Sequence, residues 1–429
     1  MHKTIIARSL ATIGCFALSQ AASASGFQLL EQNASGLGNA YAGSAAATDN
    51  ASTIFYNPAG MTELQDREVS LGASLIKPSY KFKNNGSSVA PAATGGNGGD
   101  AGDLATLPNA YFSMALNKDW YLGLGIGAPF GLKTEYDPDW VGRFHSVKFD
   151  IQTMNINPSI AWRMTDKLSF GFGLDWQRME AQYERMAAVA SSSLPASFYP
   201  VVQNTRVALS ASSEAWGWNT GVLFKPSANT KIGLSYRSAV KHDLEGTLTS
   251  SNQAISPDVL ASASVKLPDT WILSVAQQIS PKWEMLGDVS RTGWSSVQNI
   301  DIVRTSGSAA GSTAQTLEAD FRDTWRVALG ANYRVDDKWK LRYGIAWDQS
   351  PVRSDSARLT SLPDNNRIWL SLGAGYAINK ASRIDVGAAY LIIKDTNIDN
   401  NQTSQGRGRV SGTYEGSIAI LGLQYSQAF

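Results

Sequence analysis

Segments of about ten residues in which every second side chain is large and apolar recur along this chain. They restrict its fold more than any other feature. In "LSFGFGLDW", Leu168, Phe170, Phe172, Leu174 and Trp176 alternate with Ser169, Gly171, Gly173 and Asp175. In "WKLRYGIAWD", Trp339, Leu341, Tyr343, Ile345 and Trp347 alternate with Lys340, Arg342, Gly344, Ala346 and Asp348. "WRVALGANYRV" from Trp325 repeats the pattern. A period of two makes each segment a strand with one strongly apolar face and one small or charged face. A soluble sandwich alternates as well. Ten-residue segments with aromatic ends, separated by turns, are instead the pattern of strands that cross a bilayer.

The start of the chain agrees with export. Lys3 and Arg8 precede the apolar run "LATIGCFAL", followed by Ala22-Ser23-Ala24. This is the charged, apolar and small-residue order of a secretory signal peptide, with cleavage expected after Ala24. Residues 1–24 then leave the mature protein, and the single cysteine, Cys15, leaves with them. Thiol and disulfide chemistry are therefore not expected. Losing Lys3 and Arg8 leaves 35 basic residues against 36 acidic, a balance that suggests no nucleic-acid partner. No later apolar run reaches 18 residues, so no membrane helix is expected.

Six tight turns look alike: "NKDWYLGLG" at 117, "TDKLSFGFG" at 165, "SANTKIGLS" at 227, "SPKWEMLGD" at 280, "DDKWKLRYG" at 336 and "NKASRIDVG" at 379. Between them lie longer polar or Gly/Ser/Ala-rich loops, at 84–104, 186–213, 306–315 and 395–409. Short turns on one side and long loops on the other are the asymmetry of outer-membrane barrels. Six hairpins plus one strand at each end predict fourteen strands. Trp120, Trp283 and Trp339 beside the turns suit an aromatic girdle. The closing strand ends at Phe429, the kind of aromatic terminus that barrel assembly machinery reads. The expected fold is all-β: a transmembrane antiparallel β-barrel over 66–429, facing outer-membrane lipid.

Residues 25–65 break the pattern. They are rich in Gly, Ala and Ser, and Phe27, Leu29, Leu30, Phe55 and Tyr56 argue against a flexible tail. A barrel of this width leaves room inside, so a compact plug is the expectation. Enzymatic readings find little support. His145 and His242 are the only histidines beyond the signal, and neither a nucleophile elbow nor metal-ligand spacing occurs. "GLGIGAPFG" lacks the Gly-Lys-Ser/Thr ending of a phosphate loop. No cofactor or metal is expected.

"GFQLLEQNASGLGNAYAG" from Gly26, "NPAG" at 57–60, "DTWRVALG", "WDQSPV" and "LPDNNRIWLSLGAGY" occur in that order. Together they resemble the FadL-type outer-membrane channels for long-chain fatty acids, with TodX-like hydrocarbon channels as relatives. The resemblance spans essentially the whole mature chain. It implies a fourteen-strand barrel with an N-terminal hatch, passive uptake without ATP, and a fatty acid or a hydrocarbon as ligand. The ligand would enter through a groove in the loops, reach a lumen pocket and leave sideways through the wall. A monomer is expected. A water-filled general porin is a weaker alternative, because some forty residues go to the plug.

Specific residues follow. Leu194, Phe198, Tyr199, Val201 and Val202 form an apolar cluster in a long loop, with Val259 and Leu260 as a second wall; such clusters mark interaction sites as readily as loop packing. By the resemblance, Arg185 matches a lumen arginine that meets a ligand head group; a guanidinium suits a carboxylate. The family's second basic residue is replaced near Leu317, which leaves the hydrocarbon alternative open, and Arg185 could equally pair with Glu184. Phe27, Asn57, Pro58, Ala59 and Asp348 are the candidates for holding and gating the hatch. Ala128, Pro129, Phe130 and Gly131 interrupt a strand, because Pro129 cannot donate to a ladder. Either the strand ends near Gly127 or, as the resemblance implies, it kinks inward and opens the wall.

Overall fold

A computed structural model describes residues 26–89, 93–189 and 194–429; the expected signal peptide and Cys15 lie outside them. The described residues form a closed antiparallel barrel of fourteen strands. In chain order these are β1 (Arg67–Asn84), β2 (Ala105–Ala115), β3 (Trp120–Gly127, resuming as Gly131–Glu135), β4 (Lys148–Thr165), β5 (Leu168–Met186), β6 (Arg206–Ser227) and β7 (Thr230–Arg237 with Val240–Ser250). Then follow β8 (Val259–Leu267 with Thr270–Gln278), β9 (Trp283–Thr292 with Asn299–Arg304), β10 (Thr313–Glu318 with Thr324–Arg334), β11 (Trp339–Asp348), β12 (Arg367–Ala377), β13 (Ser382–Ile393 with Thr396–Asn401) and β14 (Arg409–Ala428).

Each strand pairs with its chain neighbours, and β14 closes the ring on β1 from Glu68↔Ala428 to Asn84↔Gly412. Closure satisfies both edges, which a wall surrounded by lipid requires. The terminal Phe429 is held by its own amide, which donates to the Arg67 carbonyl at 3.0 Å.

The faces are sorted opposite to a soluble protein. Outward positions are exposed and apolar, such as Leu329 at 62% and Leu372 at 61%, while inward Ser74, Asp175 and Gln424 are buried. Leaving dozens of such side chains in water forfeits about 1.5–3 kcal/mol each, so this exterior belongs in lipid. At the turn end Trp120 stacks on Trp162 with centroids 5.8 Å apart, and Trp283 and Trp339 each pack on a tyrosine at 4.7 Å. That is the expected girdle.

All six tight turns are where the sequence places them, and their similarity has a physical basis. The first residue of each turns its side-chain oxygen onto the backbone ahead. Asn117 Oδ1 accepts from the amides of Asp119 and Trp120, and Asp336 Oδ1 from those of Lys338 and Trp339. Thr165, Ser280 and Asn379 repeat the two bonds, and Ser227 makes the first of them. These side-chain turns fix hairpin register.

The loop between β1 and β2 spans the expected residues, but the other long loops are shorter than the sequence suggests. β5 and β6 remain paired as far as Met186↔Arg206, and Thr396–Asn401 continues β13 within the expected 395–409 loop. Strand ends that rise beyond the apolar band turn polar residues outward, such as Arg178 and Glu180 of β5, and so lack the apolar outer face that marks a bilayer strand.

Residues 26–64 contain no strand. They form two short helices, Ala34–Leu37 and Thr53–Tyr56, and a 3-10 turn, Pro58–Glu63, nearly all buried. This segment lies against inward glycines of several strands. A Cβ on Gly344 of β11 would sit 2.1 Å from the Asn39 carbonyl carbon, and one on Gly233 of β7 only 2.0 Å from the Ala45 oxygen. Backbone meets backbone at these points, so only glycine fits.

Candidate functional site: an apolar interior above an interrupted strand

The inner face of β5 changes character along its length. From the turn end it reads Ser169, Gly171, Gly173, Asp175 and Gln177; beyond these come Met179, Ala181, Tyr183 and finally Arg185. β6 to β8 follow the same course, with Leu209, Leu244, Leu248, Ala263 and Val265 facing inward in their loop-side halves. These residues join one contiguous apolar cluster. At its base, Phe27 packs edge-on against Trp294 at 4.7 Å and Phe130 at 6.1 Å, and Phe321 meets Trp294 at 5.9 Å. A broad apolar depression among Leu75, Leu329, Tyr343 and Leu421 is on the outward wall and is separate from this interior.

Of the expected loop groove, Leu194, Tyr199, Val202 and Val259 pack onto the cluster. Phe198, Val201 and Leu260 instead point away, at 51%, 46% and 55% exposure. Leu317 is buried within the cluster.

The interruption in β3 is real, and the strand resumes after it. β2 pairs with β3 only between Ala115↔Tyr121 and Ala110↔Ile126, whereas Gly131–Glu135 pairs with β4 alone. Between them the ladder is broken over Ala128, Pro129 and Phe130. The backbone groups freed there are taken up largely by residues 27–32. Gln32 accepts the Ala128 amide through Oε1 at 3.2 Å and donates to the Ala128 carbonyl through Nε2 at 2.8 Å. The Leu29 amide donates to the Pro129 carbonyl, and the Gly131 amide to the Phe27 carbonyl, both at 2.8 Å. Thr153 Oγ1 of β4 accepts the Phe130 amide at 3.0 Å. Every one of these groups needs a partner once buried.

Asn57 ties residues 26–64 to the wall. Its Nδ2 donates to the Ala45 carbonyl at 2.7 Å and to the Val222 carbonyl of β6 at 3.0 Å, while Oδ1 accepts the Ala59 amide across Pro58. Asp348 is buried on β11, with its carboxylate 4.0 Å from Arg367, and makes no contact with Asn57. Gln28, Gln32 and Asp364 are contacts that the sequence reading did not single out. Gln28 bridges Thr270 and Thr292, and Asp364 accepts the Gly26 amide. No local pattern separates such glutamines from solvated ones.

Arg185 is half-buried and pairs with no acid among the described residues; Glu184 is bound by Arg206 at 3.4 Å instead. The Arg185 Nε donates to Gln315 Oε1 at 2.5 Å, and Gln315 Nε2 donates to the Tyr183 hydroxyl at 2.8 Å. That hydroxyl bonds the His145 carbonyl. His145 lies in the loop after β3, where burial pushes its imidazole down to about 4. It is neutral at ordinary pH, with Nε2 3.2 Å from the Gly408 carbonyl. Among the described residues no group of three or more His, Cys, Asp or Glu side chains could hold a metal ion.

A closed fourteen-strand wall with an apolar exterior and an apolar loop-side interior defines an outer-membrane β-barrel that moves hydrophobic compounds. The family described as "Outer membrane protein transport protein (OMPP1/FadL/TodX)" matches residues 15–429, and the chain belongs to it. It is similar to the "Long-chain fatty acid transport protein" of Escherichia coli (strain K12), 31% identical over 460 residues with both chains fully covered. It is also similar to "Outer membrane protein P1" of Haemophilus influenzae, 33% identical over 402 residues and 86% of each chain. A solved Pseudomonas aeruginosa FadL homologue shares the fold at TM-score 0.84 and 23% identity, over 94% of this chain and 99% of that one. The Pseudomonas putida toluene transporter TodX does so at 0.70 and 19%, over 92% and 98%. The protein is a transporter, not an enzyme, and its place is the outer membrane.

Proposed function

We propose that the protein takes up long-chain fatty acids passively. The ligand is captured by the loop residues around Leu194, Tyr199, Val202 and Val259 and moves into the apolar interior. Residues 26–64 act as a hatch in the lumen. Their rearrangement passes the ligand to the interruption at 128–131, where it leaves sideways into the membrane. One observation carries this reading: a single apolar cluster joins the loop residues to Phe27 and Phe130, and Phe130 belongs to the interruption itself. Continuity matters because an apolar molecule moves freely only where no desolvated polar barrier intervenes. The matching relatives named for fatty-acid transport support the same ligand.

The test is uptake of radiolabelled oleate by cells that carry the protein, wild type or Pro129→Thr with Gly131→Val. Strand formers at these positions extend pairing toward β2 and narrow the exit. Uptake is expected to fall several-fold with barrel assembly intact. Unchanged uptake would refute the side exit, and absence of oleate uptake in the wild type would refute the ligand. A second reading, uptake of aromatic or aliphatic hydrocarbons, is favoured by Leu317, which offers a ligand no charge.

A further inference from the structure

We propose that Arg407, in the loop before β14, is a second cation of the head-group site. With Arg185 it selects a long-chain amphiphile bearing one carboxylate over an uncharged hydrocarbon. The inference rests on the uptake function proposed above and specifies its ligand.

Arg407 is only 8% exposed, yet no carboxylate lies within ion-pair distance of it among the described residues. Its Nη1 donates to Gln402 Oε1 at 2.9 Å and to Gln405 Oε1 at 3.0 Å, both neutral acceptors. Arg185 is in the same condition: its Nε and Nη1 are taken by Gln315 and the Met186 carbonyl, again neutral groups. Nearby carboxylates are committed elsewhere, Glu184 to Arg206 and Asp399 to Arg409. A buried and a half-buried guanidinium group, with no acid partner among the described residues, are an unfavourable arrangement that an anion relieves.

Hydrogen bonds through His145 bring the backbone next to Arg407 toward Arg185 at the barrel mouth. They run from Arg185 through Gln315 and the Tyr183 hydroxyl to the His145 carbonyl, and from the His145 ring to the Gly408 carbonyl, next to Arg407. Four separate elements therefore meet there. Both arginines lie close enough to His145 to disfavour its protonation. Immediately beneath are Tyr183 and Leu317 of the apolar cluster. A charged end above and an apolar volume below match a fatty acid. Leu317 does not leave the site without a second cation; the cation comes from a distant part of the chain.

The experiment measures binding of radiolabelled oleate and of methyl oleate to the purified full-length barrel. Wild type, Arg407→Gln and Arg407→Lys are compared, each checked for heat-modifiable mobility as a sign of closure. Losing one charged hydrogen-bonding partner is expected to weaken oleate binding about tenfold in Arg407→Gln. Methyl oleate binding should stay unchanged, and Arg407→Lys should recover most of the oleate affinity. Unchanged oleate affinity in Arg407→Gln would overturn the proposal, as would an equal loss for acid and ester, which reports a loop defect. A wild type that binds neither compound would instead overturn the uptake function itself.

Discussion

The two halves of the lumen are built by different rules, and β5 passes through both. On the turn side, small and polar inward residues meet residues 26–64 through hydrogen bonds and glycine contacts: Asn57 on Val222, Ser44 on Asp288, Gly233 against Ala45. On the loop side the inward residues are apolar and touch one another and the loops. Hydrogen bonds are directional and costly to break when buried, whereas apolar contacts are not directional and can re-form around a different shape. The first half is suited to holding one arrangement. The second is suited to parting around an apolar guest and closing behind it.

Substitutions of opposite kind should break this comparison most visibly. Gly344→Val places a branched side chain where a Cβ alone would sit 2.1 Å from the Asn39 backbone. Overpacking at a rigid contact costs about 1–3 kcal/mol, and here backbone must move. Residues 26–64 should become protease-sensitive while the barrel stays closed. Leu317→Ala, in the apolar half, should leave that segment as resistant as in the wild type, because its neighbours close on the space. Equal proteolysis of the two variants would show that the halves do not differ in rigidity.

A smaller effect is expected at the junction of the halves. Gln32→Leu removes both side-chain bonds to Ala128 and leaves a buried N–H and C=O without partners, at about 1–3 kcal/mol each. Amide exchange at Ala128 and Phe130 should rise by about tenfold or more, with the β4–β5 ladder unchanged. Exchange that stays at the wild-type rate would mean that residues 27–32 do not hold the interruption.

The fold was open to reading in the sequence because bilayer strands alternate strongly and each hairpin turn repeats the same side-chain cap. Fourteen strands followed from Asn117, Thr165, Ser227, Ser280, Asp336 and Asn379 alone. The candidate site was only partly open to it. Pro129 and Gly131 announce a break, since proline cannot join a ladder. Nothing near Gln32 or Arg407 announces a partner, because each acts on a segment far along the chain. The apolar half of the lumen was hidden for another reason: there the outward neighbours, Arg178, Glu180 and Gln182 on β5 and Asp243 and Glu245 on β7, are exposed and polar, so the alternation continues with its faces exchanged. Met179 and Leu244 then read as the apolar side of an ordinary half-buried strand, with nothing to say that this side faces the lumen.

The smallest expected effect concerns the barrel mouth and runs with pH. His145 is buried and neutral, its pKa pushed down from an ordinary 6.5 to about 4. A depressed histidine pKa means that the docked loop binds fewer protons than the undocked one. Docking is then fully supported above pH 6.5 and weakens as pH falls from there toward 4. Arg407 and Arg185 reinforce this sign, since a third positive charge beside them is disfavoured. Amide exchange in 136–147 should accelerate between pH 6.5 and 4 once corrected for its intrinsic pH dependence, and His145→Gln should flatten the profile. A wild-type profile already flat over that range would show that loop docking does not depend on the neutral imidazole. The mouth would then be held by the Tyr183 hydroxyl and the Trp140 indole, which donates to the Ser146 carbonyl at 2.8 Å. That outcome would separate the anion site proposed at Arg185 and Arg407 from any control by protons.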